Sequence, residues 1–229
     1  MLSLTLGDKL QPLRRVLCLG AHCDDIEIGC GGTLLQLQEQ NPRLEFHWMV
    51  FSSTPRRKRE ATKSAQLFLK SGAASRVVIK NFRDSYFPFQ GARVKDSFEL
   101  LKKSFAPDLI FTHFRDDLHQ DHRLISELTW NSFRDHLILE YEIPKYDGDL
   151  GSPNFFVGLP ESLCRQKIHY VLNCFQSQKG KRWFTEDTFR ATLRLRGIES
   201  NTPEGYAEGF YCRKLCFQGM PVERNEKAQ

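Results

Sequence analysis

Six short runs of apolar, β-prone residues recur along the chain. They span 16–19, 44–51, 76–80, 109–112, 136–143 and 154–158. Runs of this length, bounded by turn residues, read as buried strands. Longer amphipathic stretches separate them. One starts near Thr33 and stops at Asn41–Pro42; another runs 56–71, with Ala61, Ala65, Phe68 and Leu69 inward, and ends at Gly72. Helices are also predicted over 94–105, from His119 or Asp121 to Arg134, over 159–174 and over 185–195. Strands alternating with helices predict an α/β fold: one Rossmann-like domain, with a largely parallel sheet and helices on both faces. Residues 1–14 read as an arm and 222–229 as a frayed tail.

The most informative polar interruption follows the first strand. Val16–Leu19 leads into Ala21-His22-Cys23-Asp24-Asp25, and then into Gly29-Cys30-Gly31-Gly32-Thr33-Leu34. Open α/β sheets place their chemistry at the carboxyl ends of parallel strands. Two adjacent carboxylates repel each other without a cation between them. The plain alternative is a solvated turn whose Asp caps a helix. A second polar stretch, His119-Gln120-Asp121-His122, follows the strand at 109–112. Two imidazoles three residues apart share a face on a helical turn. His and Asp from one strand end with His from another form the two-His, one-carboxylate set of a catalytic zinc site. Gly31 and Gly32 read as a tight entry into the helix and a place of close backbone approach. They do not make a dinucleotide fingerprint.

These two stretches resemble the LmbE/PIG-L-like zinc N-deacetylases, whose motifs are A-H-P-D-D followed by G-x-G-G-T-L, and H-x-D-H. Weaker likeness runs through Arg57-x-x-Glu60 and Tyr206–Phe210, so the resemblance covers roughly Arg15 to Phe217. Cys23 stands where the family usually has Pro, which changes loop stiffness and adds a thiol without removing a presumed ligand. The resemblance implies His22, Asp25 and His122 as ligands of Zn2+, with Fe2+ left open because the same donors suit it. It further implies Asp24 as general base, His119 beside the developing oxyanion, Asp121 tuning the charge of His119, and Arg57 as a substrate contact. The implied substrate is an N-acetylated amino sugar or conjugate. His47, His113, His136 and His169 show no comparable pairing and read as structural. Cys23 and Cys30 read as small fillers.

Composition adds limits. The 229 residues are 40% hydrophobic and 27% charged, with 18 Phe, which fits one domain with an aromatic-rich core. A net charge of +5 is too small by itself to imply nucleic acid. No apolar run approaches the roughly 20 residues of a membrane span, and the first residues lack signal-peptide architecture. Seven cysteines without CxxC spacing read as reduced thiols, pointing to the cytoplasm. The densest cationic run, Arg56–Arg59, predicts an anionic substrate such as a nucleotide-linked sugar, against the plainer reading of a solvated helix start. Three other readings stay open: a metal-dependent amidohydrolase for another N-acyl small molecule, a nucleotide-binding α/β domain, and a metal-free binding module. The oligomeric state is also left open.

Overall fold

The computed structural model describes Leu6 and residues 12–70 and 75–216. Most of the expected arm, Gly72 and the tail 222–229 lie outside the described residues. The elements run β1 (Arg15–Gly20), α1 (Asp25–Gln40), β2 (Glu45–Ser52), α2 (Pro55–Phe68), β3 (Arg76–Phe82), α3 (Gly91–Ser104), β4 (Leu109–His113), α4 (Gln120–Ser132), β5 (Leu137–Tyr141), β6 (Phe155–Gly158), α5 (Glu161–Cys174), α6 (Glu186–Glu199) and β7 (Ala207–Cys212). They form a seven-stranded sheet in the order β3-β2-β1-β4-β5-β7-β6. The first five strands in that order are parallel, and β7 pairs antiparallel with both β5 and β6.

Alternation along the strands divides the core in two. Val16, Cys18, Phe46, Trp48, Leu109 and Phe111 face a layer that includes residues of α1, α2, α5 and α6. Leu17, Leu19, Met49, Phe51, Ile110 and Ile138 face the smaller layer of α3 and α4. Continuous burial of β1, β2 and β4 is the signature of parallel strands covered on both faces.

Two local features differ from the sequence expectation. The first helix begins at Asp25, so the glycines lie inside it rather than in a turn before it. They allow close approach: a Cβ on Gly29 would sit 2.1 Å from Tyr141 Cδ2, and one on Gly31 2.6 Å from Phe68 Cε1. Each of these rings is fully buried. The second difference is β7, whose Glu208 reaches α1. Its carboxylate accepts from the N–H groups of Gly32 and Thr33 at 2.8 and 2.7 Å. Buried Lys167 completes this contact by donating to Glu208 Oε1 and to Ile28 O, each at 2.6 Å.

Candidate metal and active site

β1, β2 and β4 end at one edge of the sheet, and the first turns of α1 and α4 start there. That edge opens into a cleft of about 360 Å³, within the usual size for a small-molecule site. His22 sits in the β1–α1 turn, Asp24 and Asp25 at the start of α1, and His119 and His122 at the start of α4. All five line the cleft. Asp121, fully buried, lies just behind them.

Three donor atoms converge. His22 Nδ1 is 3.1 Å from His122 Nε2 and 3.5 Å from Asp25 Oδ2, and His122 Nε2 is 3.6 Å from Asp25 Oδ2. Ligands about 2.0–2.1 Å from a tetrahedral zinc lie about 3.3 Å apart, so the triangle is close to one face of that coordination sphere. The other nitrogen of each ring supports the same arrangement. His122 Nδ1 is 2.9 Å from Asp117 Oδ2. His22 Nε2 is 3.2 Å from Asp121 Oδ2 and 3.1 Å from Asp84 Oδ1. An imidazole donating to a carboxylate through one nitrogen presents the lone pair of the other, which is how metal-ligating histidines are commonly held.

The imidazoles and carboxylates of the site shift one another's protonation. Burial pulls the His22 pKa down. Attraction to Asp25 and hydrogen bonds to Asp121, Asp25 and Asp84 outweigh it, leaving the imidazole well above its ordinary value. Burial would raise Asp25, yet His122, His113 and His22 hold it well below the carboxylate range. Burial and then neighbouring His113 lower His122 to about 3, so its ring is neutral at pH 7 and free to donate an electron pair.

Other groupings of potential ligands overlap this one: His22 with His119 and His122, Asp25 with His113 and His122, and His22 with Asp84 and Asp121. Hydrogen bonding separates the roles. His119 Nδ1 accepts from the Asp121 backbone N–H at 3.2 Å and so caps α4. Its neutral ring then carries hydrogen on Nε2 and is a donor, not a ligand. Burial, followed by repulsion from His22, lowers its pKa and keeps it neutral. His113 Nε2 accepts from the Ala21 backbone N–H at 2.9 Å, which occupies that lone pair.

The remaining expected residues are engaged as follows. Arg57 donates to Asp24 Oδ1 at 2.6 Å and to Ser177 Oγ at 3.2 Å, and lies 3.8 Å from Glu60 Oε2. Within the basic run it lines the cleft, while Arg56, Lys58 and Arg59 are exposed. Asp121 accepts from the backbone N–H groups of Ser85 and Phe87 at 2.7 and 3.0 Å. Its carboxylate therefore joins the 83–87 loop to His22, whereas the sequence reading set it to tune His119. The Cys23 thiol donates to Ser52 O at 3.3 Å, and burial, opposed by Arg57, pushes its pKa up to about 12. Cys30 donates to Ile26 O. Both thiols are thus engaged with backbone.

Sequence reasoning missed three contributors. Asp117 orients His122, and Asp84 reaches His22 from the end of β3. His113, read as structural, lies 3.2 Å from Asp25 Oδ2 and stacks on His122 with ring centroids 3.9 Å apart. The signal for Asp117 was its position before the second histidine stretch. Nothing local marked His113, the last residue of an apolar strand.

Fold and site together define a class: a doubly wound α/β domain with a two-histidine, one-carboxylate donor set at the carboxyl edge of its parallel strands. The chain belongs to the family described as "PIG-L: GlcNAc-PI de-N-acetylase", which matches residues 17–133. Similar solved structures include N,N'-diacetylchitobiose deacetylase from Pyrococcus horikoshii, at 21% identity and TM-score 0.66, covering 87% of this chain and 84% of that one. A zinc-inhibited form of teicoplanin deacetylase matches at 14% identity and TM-score 0.68, covering 86% and 97%. A 4-carboxy-2-hydroxymuconate hydratase from Pseudomonas putida KT2440 matches at 15% identity and TM-score 0.70, covering 91% and 99%. At these identities the likeness shows the fold, and the hydratase shows that one fold houses more than one chemistry.

Proposed function

We propose that the protein is a metal-dependent N-deacetylase that hydrolyses the acetamide of an N-acetylated amino sugar or sugar conjugate. The observation that carries this reading is the triangle of His22 Nδ1, His122 Nε2 and Asp25 Oδ2, with Asp24 held beside it by Arg57. Family membership supports the same reaction. Zinc is the metal proposed, since the donor set and spacing suit it, and ferrous iron is the alternative.

A zinc ion held by these three residues would supply Lewis acidity, polarising a carbonyl and lowering the pKa of water from about 15.7 to about 7. The protein's own groups then have distinct tasks. Arg57 fixes Asp24 through Oδ1, leaving Oδ2 to take the proton from the attacking water and return it to the leaving amine. His119 offers Nε2–H where the acetamide oxygen gains charge, because its Nδ1 is committed to the α4 cap. Asp117, Asp121 and Asp84 hold the two ligating rings in the tautomers that coordination needs. Among the described residues no helix is long and apolar enough to cross a membrane. The thiol-rich chain supports work in a reducing compartment such as the cytoplasm.

The test is metal analysis of the purified protein followed by acetate release from a panel of N-acetyl sugars. One equivalent of zinc or iron, with activity lost on chelation and restored by that metal, is the expected result. Full activity after complete metal removal would overturn the proposal.

A further inference from the structure

A buried ion pair sits against α1, and the deacetylation chemistry makes no use of it. Lys167 of α5 and Glu208 of β7 are each 3% exposed and meet at 2.6 Å. Together they take hold of one rung of the helix. Lys167 Nζ donates to Ile28 O at 2.6 Å, and Glu208 Oε1 accepts the Gly32 N–H at 2.8 Å. Glu208 Oε2 accepts the Thr33 N–H at 2.7 Å and the Thr33 hydroxyl at 2.6 Å. Gly32 admits the carboxylate: a Cβ there would stand 3.0 Å from Glu208 Oε1 and 2.4 Å from Leu159 Cδ1.

A regular α-helix pairs Ile28 O with the Gly32 N–H by itself. Neither group needs a side chain from elsewhere. Two buried charges are also a poor source of stability, since apolar side chains of similar volume commonly serve a core as well or better. What the pair supplies is a fixed place for one turn of α1, because charge-assisted hydrogen bonds are short and geometrically specific.

That turn leads to the candidate metal site. The Ile28 residue is held at both its backbone groups: its C=O by Lys167, and its N–H by Asp24 O at 3.0 Å. Asp24 caps the same helix and Asp25 opens it, and Asp25 Oδ2 is the corner of the donor triangle that α1 supplies. The next residue, Gly29, packs on the Tyr141 ring, whose hydroxyl donates to Leu19 O of β1 at 2.6 Å. The first turn of α1 is thus braced from the sheet by Tyr141 and from α5 and β7 by the ion pair.

We propose that Lys167 and Glu208 are positioning residues for the metal site: they fix the first turn of α1 and so the place of Asp24 and Asp25 relative to His22 and His122. The proposal rests on the metal site of the deacetylase reading and deepens it. It gives a task to Glu208 in the Tyr206–Phe210 stretch and to Gly32-Thr33 in the first motif, which lie 175 or more residues apart.

The test uses Glu208→Gln, Lys167→Met and the double variant Lys167→Met/Glu208→Gln. Zinc Kd is measured by competition with a chromophoric chelator, coordination by the visible absorption spectrum of the Co2+-loaded protein, and stability by urea unfolding. Each single variant should weaken zinc binding about 10- to 100-fold, the usual cost of losing a partner outside the ligand shell, and should alter the Co2+ bands. The double variant leaves no buried charge unpaired, so it should regain most of the parent's stability. Its zinc Kd and Co2+ spectrum should stay altered, because the hold on Ile28 O is still missing. If the single variants do not fold, the double variant decides. Parental Kd and Co2+ spectrum in the double variant would overturn the proposal and leave the pair a purely structural one. Leu101→Ala is the control: it opens a cavity in the α3–α4 layer, lowers stability by about 2–5 kcal/mol and should leave the zinc Kd unchanged. An equal loss of affinity there would also overturn the proposal, since affinity would then follow stability alone. A parent that binds zinc but releases no acetate from any N-acetyl sugar would sink the deacetylase reading, while the Kd comparison still decides the role of the pair.

Discussion

Asp117→Asn tests how far the proposed metal site depends on a residue outside its donor set. The Asp117 carboxylate is 1% exposed, and its Oδ2 is 2.9 Å from His122 Nδ1 and 3.1 Å from Lys145 Nζ. Its Oδ1 accepts the His119 backbone N–H at 2.8 Å. The substitution keeps the shape and removes the charge. A buried hydrogen bond to a charged group contributes about 1.5–3 kcal/mol, and about 1.36 kcal/mol is one decade in an equilibrium constant. Metal affinity should therefore fall about 10- to 100-fold, the usual cost of losing an outer partner of a ligating histidine. Competition with a chromophoric chelator measures the Kd, and circular dichroism checks that the fold is kept. Lys145→Met is the control, because it removes the ion pair but leaves the imidazole bond; its Kd should move less. A Kd within about threefold of the parent for Asp117→Asn would refute the argument that this carboxylate orients the donor. A fall in kcat at saturating metal with an unchanged Kd would assign Asp117 to the turn carrying His119 instead.

Asp24→Asn should keep its metal and lose about a hundred- to ten-thousandfold in kcat; near-parental turnover at saturating metal would remove Asp24 as the base. Gly29→Ala should cost about 1–3 kcal/mol or more in urea unfolding, because its Cβ would meet Tyr141 Cδ2 at 2.1 Å in a filled core. Gly91→Ala, where a Cβ meets nothing within 4 Å and φ is −49°, should be neutral or stabilising by up to about 1 kcal/mol. Equal effects for the two would contradict the packing argument. His47, 4% exposed, has its pKa lowered to about 4 by burial and then by Arg76. The unfolded chain binds that proton near pH 6.5, so this contribution is present above pH 6.5 and is lost as pH falls through 4. It amounts to about 3 kcal/mol at one decade per 1.36 kcal/mol. His47→Phe should narrow the stability gap between pH 7 and pH 4 by that order, and an unchanged gap would assign the acid sensitivity to other groups.

Local spacing by itself determined the strand–helix alternation and the two histidine-bearing turns. These are properties of neighbouring residues: apolar runs of strand length, and polar groups packed into the turns that follow them. His22, Asp24, Asp25, His119 and His122 could be selected because each lies in such a turn, and one sheet edge gathers the ends of parallel strands. What each residue does there depends on partners far away in the chain. Asp24 is matched to Arg57 by the placing of α2 beside α1, and Asp121 meets both His22 and the backbone of the 83–87 loop, which lie about 100 and 35 residues away in the chain. His113 was hidden because a histidine closing an apolar strand has no local signature; the pairing of β4 with β1 brings it to the Ala21 N–H and Asp25. The start of α1 was missed for a related reason. Three glycines in four residues discourage a helix locally, yet Tyr141 and Phe68 pack where side chains would otherwise stand. The antiparallel β7 was likewise decided by tertiary packing, since long-range register leaves no period in the sequence.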